Sequence, residues 1–214
     1  MLNVNVYGCS YTGGTPKVLK GYSWVDELQQ LEPEWNIKNY AKPGSSIHYA
    51  ARKYYDNKFE SAFNILQIPH YNRWSYFKGP ISYGWHHNEN HLRNRHLNDP
   101  KFPPENIKLA AEYYIQRLRT FSDYELAFDS YAYAKLLVND MNIVFYHHSD
   151  KNKKLCPWGY PEFKIDTFTI EEECPKFKEY SADIVNHFNV EGMNWQANFI
   201  REKIKKTLYN LLEI

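Results

Sequence analysis

The stretch Leu2-Asn3-Val4-Asn5-Val6-Tyr7-Gly8-Cys9-Ser10-Tyr11-Thr12-Gly13-Gly14 decides the fold. Leu2, Val4 and Val6 alternate with polar residues, the period of a β-strand with one packed face. The strand stops at Gly8, and Ser10 follows in a turn rich in Gly and Thr. A serine at the carboxyl end of the first strand of an α/β chain lies where such folds gather their chemistry. The same residues also describe a plain strand-to-helix turn in which Ser10 or Thr12 caps the next helix.

Working outward, the pattern alternates between the two periods. Ser23 to Leu31 predicts a short helix with Trp24, Leu28 and Leu31 on one face, ended by Pro33. Trp35 to Tyr40 predicts a second strand, running into Ala41-Lys42-Pro43-Gly44-Ser45-Ser46, where either serine can cap a helix. That helix carries Ile47, Ala50, Ala51, Tyr54, Tyr55 and Phe59 at spacings of three and four. Ser61 to Pro69 predicts a buried strand, and His70 to about Asn106 an irregular stretch. Ile107 to Phe121 predicts a helix, and Ser122-Asp123-Tyr124-Glu125 is a capping box opening another. Asn142 to Ser149 predicts a fourth strand. Asp150 to Ala182 turns polar and irregular, with a short strand at Lys164 to Ile170, before a last helix from about Val190 to Leu212.

Strands alternating with helices predict an α/β domain: a parallel sheet with helices on both faces, in a flavodoxin-like three-layer order. One domain over 1–214 is expected, with irregular insertions at about 70–106 and 150–182. The strand carboxyl ends then share one edge, which brings Ser10, Gly44 and the segments after Pro69 and Tyr146 together. His187, directly before the last helix, can join them.

Composition narrows the function. A net charge of +1 argues against a dedicated nucleic-acid binder. No apolar run reaches the length of a membrane span, and the first residues lack the basic-then-apolar pattern of a signal peptide. Three widely spaced cysteines make no disulfide framework. A soluble protein, cytoplasmic or virion-associated, is the expectation. Aromatic residues are abundant, with 19 Tyr, 12 Phe and 6 Trp. Many fall in loop-like stretches, among them Tyr71, Trp74, Tyr76, Phe77, Tyr83, Trp85, Trp158 and Tyr160. Most read as pins holding loops to the body, and a few near the site as a surface for sugar rings. His86, His87, His91 and His96 sit among Asn, Glu and Arg with no cysteine partner, so a solvated stretch is expected rather than a metal site. No cofactor and no metal is expected.

Two blocks carry a family likeness. Gly8-Cys9-Ser10-Tyr11-Thr12 ends the first strand, and Asp183-Ile184-Val185-Asn186-His187 precedes the last helix. Together they resemble the SGNH (GDSL-like) hydrolases, which open on a Gly-Asp-Ser block and close on an Asp and a His before their final helix. Cys9 stands where the family has Asp, and Asp183 lies four residues before His187 where the family has three. The resemblance implies Ser10 as nucleophile, His187 as base and Asp183 as its orienter. It implies an oxyanion hole from the backbone N–H groups of Ser10 and Gly44 and a side-chain amide after the third strand. The family has Gly-x-Asn-Asp there. This chain has Pro69-His70-Tyr71-Asn72-Arg73-Trp74, so Asn72 is the nearest candidate. Arg73 can supply a charged donor or bind a substrate carboxylate, and Trp74 can contact substrate. Cys9 is expected to be packing, since alternate residues at a strand end point opposite ways.

The expected activity is ester hydrolysis through an acyl-enzyme on Ser10, on O-acyl groups of a small molecule or glycan. Two alternatives stay open: a non-catalytic glycan-binding or structural module of the same fold, and an O-acyltransferase using the same site. Similar Gly-Cys-Ser proteins suggest a bacterial or bacteriophage source.

Overall fold

A computed structural model of the chain describes residues 1–14, 22–57, 63–69, 73–78, 81–85, 105–147, 167–182 and 187–212. In chain order its elements are β1 (Asn3–Tyr7), α1 (Ser10–Gly13), α2 (Trp24–Leu31), β2 (Asn36–Asn39), α3 (Ile47–Asn57), β3 (Phe63–Gln67), β4 (Trp74–Lys78), β5 (Ile81–Trp85), α4 (Glu105–Thr120), α5 (Asp123–Val138), β6 (Ile143–Tyr146), β7 (Thr167–Thr169), α6 (Ile170–Glu173), α7 (Phe177–Tyr180) and α8 (Val190–Leu212).

Five strands form one sheet in the order β2-β1-β3-β6-β7, and every pairing in it is parallel. This is the flavodoxin-like order, in which the chain reverses direction across the sheet between β1 and β3. Val4, Val6, Phe63, Ile65, Ile143 and Phe145 face one layer, built from α2 and α8. Tyr7, Leu66 and Val144 face the other, where α3 and α5 pack through Ala50, Tyr54, Ala134 and Leu137. The expected three-layer α/β architecture is therefore present.

The first strand differs from its expected one-faced packing. Val4 and Val6 are buried, but so are Asn5 and Tyr7 on the opposite face. The position of β1 explains this: it is flanked by β2 and β3 and covered by helices on both sides. Asn5 tolerates burial because its amide donates to the Tyr7 hydroxyl at 3.2 Å.

The stretch expected to be irregular after Pro69 contains an antiparallel hairpin. β4 and β5 pair from Trp74 opposite Trp85 to Lys78 opposite Ile81. The short strand expected at Lys164 to Ile170 is present as β7, a three-residue edge strand, and the stretch expected to be irregular around it also supplies the short helices α6 and α7. The capping box at Ser122 is as the sequence predicts, and a second is found at Ser23. Ser122 and Glu125 cap α5 reciprocally, and Ser23 and Asp26 do the same for α2. Among the described residues no helix is long and apolar enough to cross a membrane.

Candidate active site

The turn that carries Ser10 is assembled around Gln67, the last residue of β3. The Gln67 Oε1 accepts the Cys9 N–H at 3.0 Å, the Cys9 thiol at 3.1 Å and the Thr12 hydroxyl at 3.5 Å. Its amide nitrogen donates to the Ile68 carbonyl at 2.6 Å. One buried amide therefore ties the end of β1 to the end of β3 and sets the direction in which the chain leaves the sheet. Gly8 is required by the same arrangement, because a Cβ there would lie 2.9 Å from Gln67 Oε1 and 3.0 Å from Thr12 Oγ1. Ser10 then begins α1 directly rather than capping it, and the Cys9 side chain, fully buried, is turned to Gln67. The expectation that Cys9 serves packing is met, with a hydrogen bond in addition.

Gly44 is fastened to the same turn. The Ser45 hydroxyl donates to the Gly8 carbonyl at 2.8 Å, and the Lys42 N–H reaches that carbonyl at 3.3 Å. Asn39 donates to the Thr12 carbonyl at 3.2 Å. Gly44 itself has φ of 77°, a left-handed conformation that glycine takes without strain. Behind it the Ser46 hydroxyl donates to the Ser75 hydroxyl at 2.9 Å, joining this loop to β4.

His187 arrives from the far end of the chain. A short antiparallel bridge between Ser181 and Phe188 holds the residues around it, and the Ala182 N–H donates to the His187 carbonyl at 2.7 Å. The imidazole Nε2 lies 2.9 Å from the Ser10 hydroxyl oxygen, across 177 residues of sequence. Ser10 is 7% exposed. This is hydrogen-bond reach for a base and the hydroxyl whose proton it takes.

The Tyr11 ring forms one wall. It stacks on His147 at 4.0 Å between centroids and lies 4.8 Å from the His187 ring. Phe188, Met193 and Gln196 complete a narrow cleft. Gln196 is 1% exposed, and its amide nitrogen has no hydrogen-bond partner among the described residues. Among the described residues no carboxylate lines this cleft, and no cluster of three or more metal-ligating side chains occurs.

Of the residues singled out from the sequence, the structure brings Ser10 and His187 together and sets the Gly44 loop beside them. Arg73 lies near as well, its guanidinium carbon 5.9 Å from the Tyr11 ring centroid. Asp183 and Asn72 fall outside the described residues, as do His86, His87, His91 and His96. Trp74 begins β4, and its side chain is likewise outside them. Sequence reasoning missed Gln67 and Gln196. Each is a glutamine on a mostly apolar buried stretch, Phe63 to Ile68, where Asn64 is the other polar residue, and the Met193, Ala197, Ile200, Ile204 stripe of α8, and that mismatch was the available signal.

No protein-family model matches the sequence, and a comparison with curated proteins gives no match. Solved structures do resemble the fold. The psychrotrophic esterase EstA from Pseudoalteromonas sp., in a form inhibited by monoethylphosphonate, aligns over 100% of both chains with TM-score 0.51 and 9% identity. The lipase/acylhydrolase from Enterococcus faecalis aligns over 96% of each chain with TM-score 0.51 and 12% identity. The sheet order, the layers and these likenesses agree: the chain has the three-layer α/β fold of the SGNH (GDSL-like) hydrolases.

Proposed function

We propose that this protein is a serine ester hydrolase of the SGNH type, forming an acyl-enzyme on Ser10. The observation that carries the reading is the 2.9 Å contact between Ser10 Oγ and His187 Nε2. A serine hydroxyl is a poor nucleophile at neutral pH until a base in this position takes its proton. The similarly folded Pseudoalteromonas protein is an esterase inhibited by a phosphonate, and the Enterococcus protein a lipase/acylhydrolase. Both descriptions are compatible with acyl transfer through an activated serine.

In the first half-reaction His187 Nε2 accepts the Ser10 proton as Oγ bonds to the acyl carbon. The carbonyl electron pair moves onto its oxygen, and backbone N–H groups of Ser10 and Gly44, with the Asn72 amide, are assigned to hold that charge. Collapse of the intermediate expels the alcohol, which takes its proton from His187. Water then repeats the sequence, and Ser10 leaves with its proton restored. Asp183 is assigned to orient the imidazole. Arg73 and Trp74 are assigned to substrate contact, and an O-acyl group, preferably on a carbohydrate, is the assigned substrate.

Hydrolysis of an aryl acetate by the purified chain tests the reading. Turnover that falls by roughly a thousandfold or more in Ser10→Ala and in His187→Ala supports it. A folded wild-type chain with no turnover of acetate, formate or propionate esters opposes it.

A further inference from the structure

We infer that Arg73 forms an anion subsite one ring away from the nucleophile, so that the preferred ester carries a carboxylate, phosphate or sulfate group. This rests on the hydrolase reading of Ser10 and His187 and adds the charge of the substrate to it.

Arg73 is 9% exposed, and its Nη1 is buried without a hydrogen-bond partner among the described residues. An arginine is charged at every working pH, and burying a cation without a counter-ion is costly. No described carboxylate forms an ion pair with it. Its recorded contact is with an aromatic face: the guanidinium lies over the Tyr11 ring, 5.9 Å from the centroid. A ring quadrupole offsets only a fraction of that desolvation. Tyr114 is a buried phenol whose ionisation burial pushes well up, while the charges of Arg117 and then Arg73 act the opposite way. Neither ring supplies the negative charge.

The position separates the two roles that the sequence allows for Arg73. It follows β3 on the catalytic edge, beside the Ser10 turn. Yet the guanidinium sits across Tyr11 and is not among the groups lining the cleft at Ser10 and His187. The ester carbonyl oxygen, bonded to the carbon that Ser10 attacks, does not reach over that ring. A substituent several bonds from the carbonyl does. A guanidinium fork is also suited to planar two-oxygen recognition.

The test uses matched ester pairs. On the acyl side, 4-nitrophenyl hydrogen glutarate is compared with 4-nitrophenyl pentanoate. On the alcohol side, 4-carboxyphenyl acetate is compared with 4-carbamoylphenyl acetate. The wild-type chain is expected to favour the anionic member by tenfold or more in kcat/KM in one pair, mainly through KM, and that pair tells which side of the ester the anion occupies. The preference should collapse to near one in Arg73→Gln and survive in part in Arg73→Lys. If Arg73 only braces Tyr11, Arg73→Gln lowers both members by the same factor and the preference, if any, remains, which overturns the inference. Equal turnover of both members by the wild type also overturns it while leaving the hydrolase reading intact. Failure of all four esters together with failure of an activated phosphonate to label Ser10 overturns the hydrolase reading itself. Arg73→Met, checked for folding by circular dichroism, replaces Arg73→Gln if the latter does not fold.

Discussion

Gln67, at the end of β3, accepts through one oxygen both the backbone N–H and the thiol of Cys9, the residue before Ser10. The bond joins adjacent strands at the edge where the reactive groups gather, and it substitutes for regular ladder pairing just where β1 ends. Gln67 is 1% exposed, so no water replaces its oxygen if it is lost. Gln67→Leu should therefore leave the Cys9 N–H buried and unpaired, a penalty of about 1–3 kcal/mol. Urea unfolding with matched activity assays checks this, and turnover should fall more than stability because Ser10 is displaced from His187. An unchanged turnover in the folded variant would show that Gln67 does not set the nucleophile.

Gly8 gives a second prediction on the same turn. A methyl group there meets Gln67 Oε1 at 2.9 Å and Gln67 Cβ at 3.0 Å, both held in place by their own bonds. Gly8→Ala should destabilise by about 1–3 kcal/mol through overpacking. Gln67 should be the residue that shifts, readable as a change in hydrogen-exchange protection at the Cys9 amide.

Tyr11 should act through its ring. It stacks on His147 at 4.0 Å and approaches His187 at 4.8 Å. Tyr11→Leu should lower kcat on aryl acetates by roughly tenfold, the size expected when a catalytic base is left less well placed. Tyr11→Phe, which keeps the ring, should recover most of that loss. Equal losses in the two variants would assign the effect to the hydroxyl instead.

Stability against pH should carry the mark of Glu32. This buried carboxylate ends α2 and pairs with Arg201 and Lys205 on α8. The hydrogen bond from Lys205, then that from Arg201, holds its carboxyl below the usual glutamate range despite its burial. A depressed folded value gives stability that is full above the unfolded value of about 4.3 and disappears as pH falls through the lower folded value. Tm should therefore drop on acidification below about pH 4, and Glu32→Gln should flatten that part of the drop. The same variant should cost on the order of 1 kcal/mol at pH 7, a modest sum because both cations keep access to water.

Much of the fold was legible because periodicity marks burial. The stripes of α3, apart from the exposed Tyr55, and of α8 and the capping box of Ser122 read correctly. Where the reading fell short, the reason is local. The period of β1 suggested one packed face, but Asn5 and Tyr7 are buried through a bond to each other that polarity alone does not reveal. The hairpin β4–β5 alternates aromatic and small residues about Gly79-Pro80, and those two residues also suit an irregular loop. β7, by contrast, falls inside the short strand expected at Lys164 to Ile170. At the site, Ser10 and His187 were found by their places at a strand end and before the last helix together with the resemblance of those two blocks to the SGNH hydrolases. Gln67 and Gln196 were not, because a polar residue inside an apolar run gives no sign of what it binds.

The central claim is that Ser10, activated by His187, is the nucleophile. Covalent labelling by a fluorophosphonate, with the adduct located by mass spectrometry, tests it most directly. The account predicts a single phosphonyl adduct on Ser10 in the wild type, none in Ser10→Ala, and labelling slowed at least a hundredfold in His187→Ala. It predicts undiminished labelling in Cys9→Ala if that chain stays folded. A folded wild-type chain that resists even the smallest fluorophosphonate, or an adduct that appears on Cys9 and persists in Ser10→Ala, would contradict it.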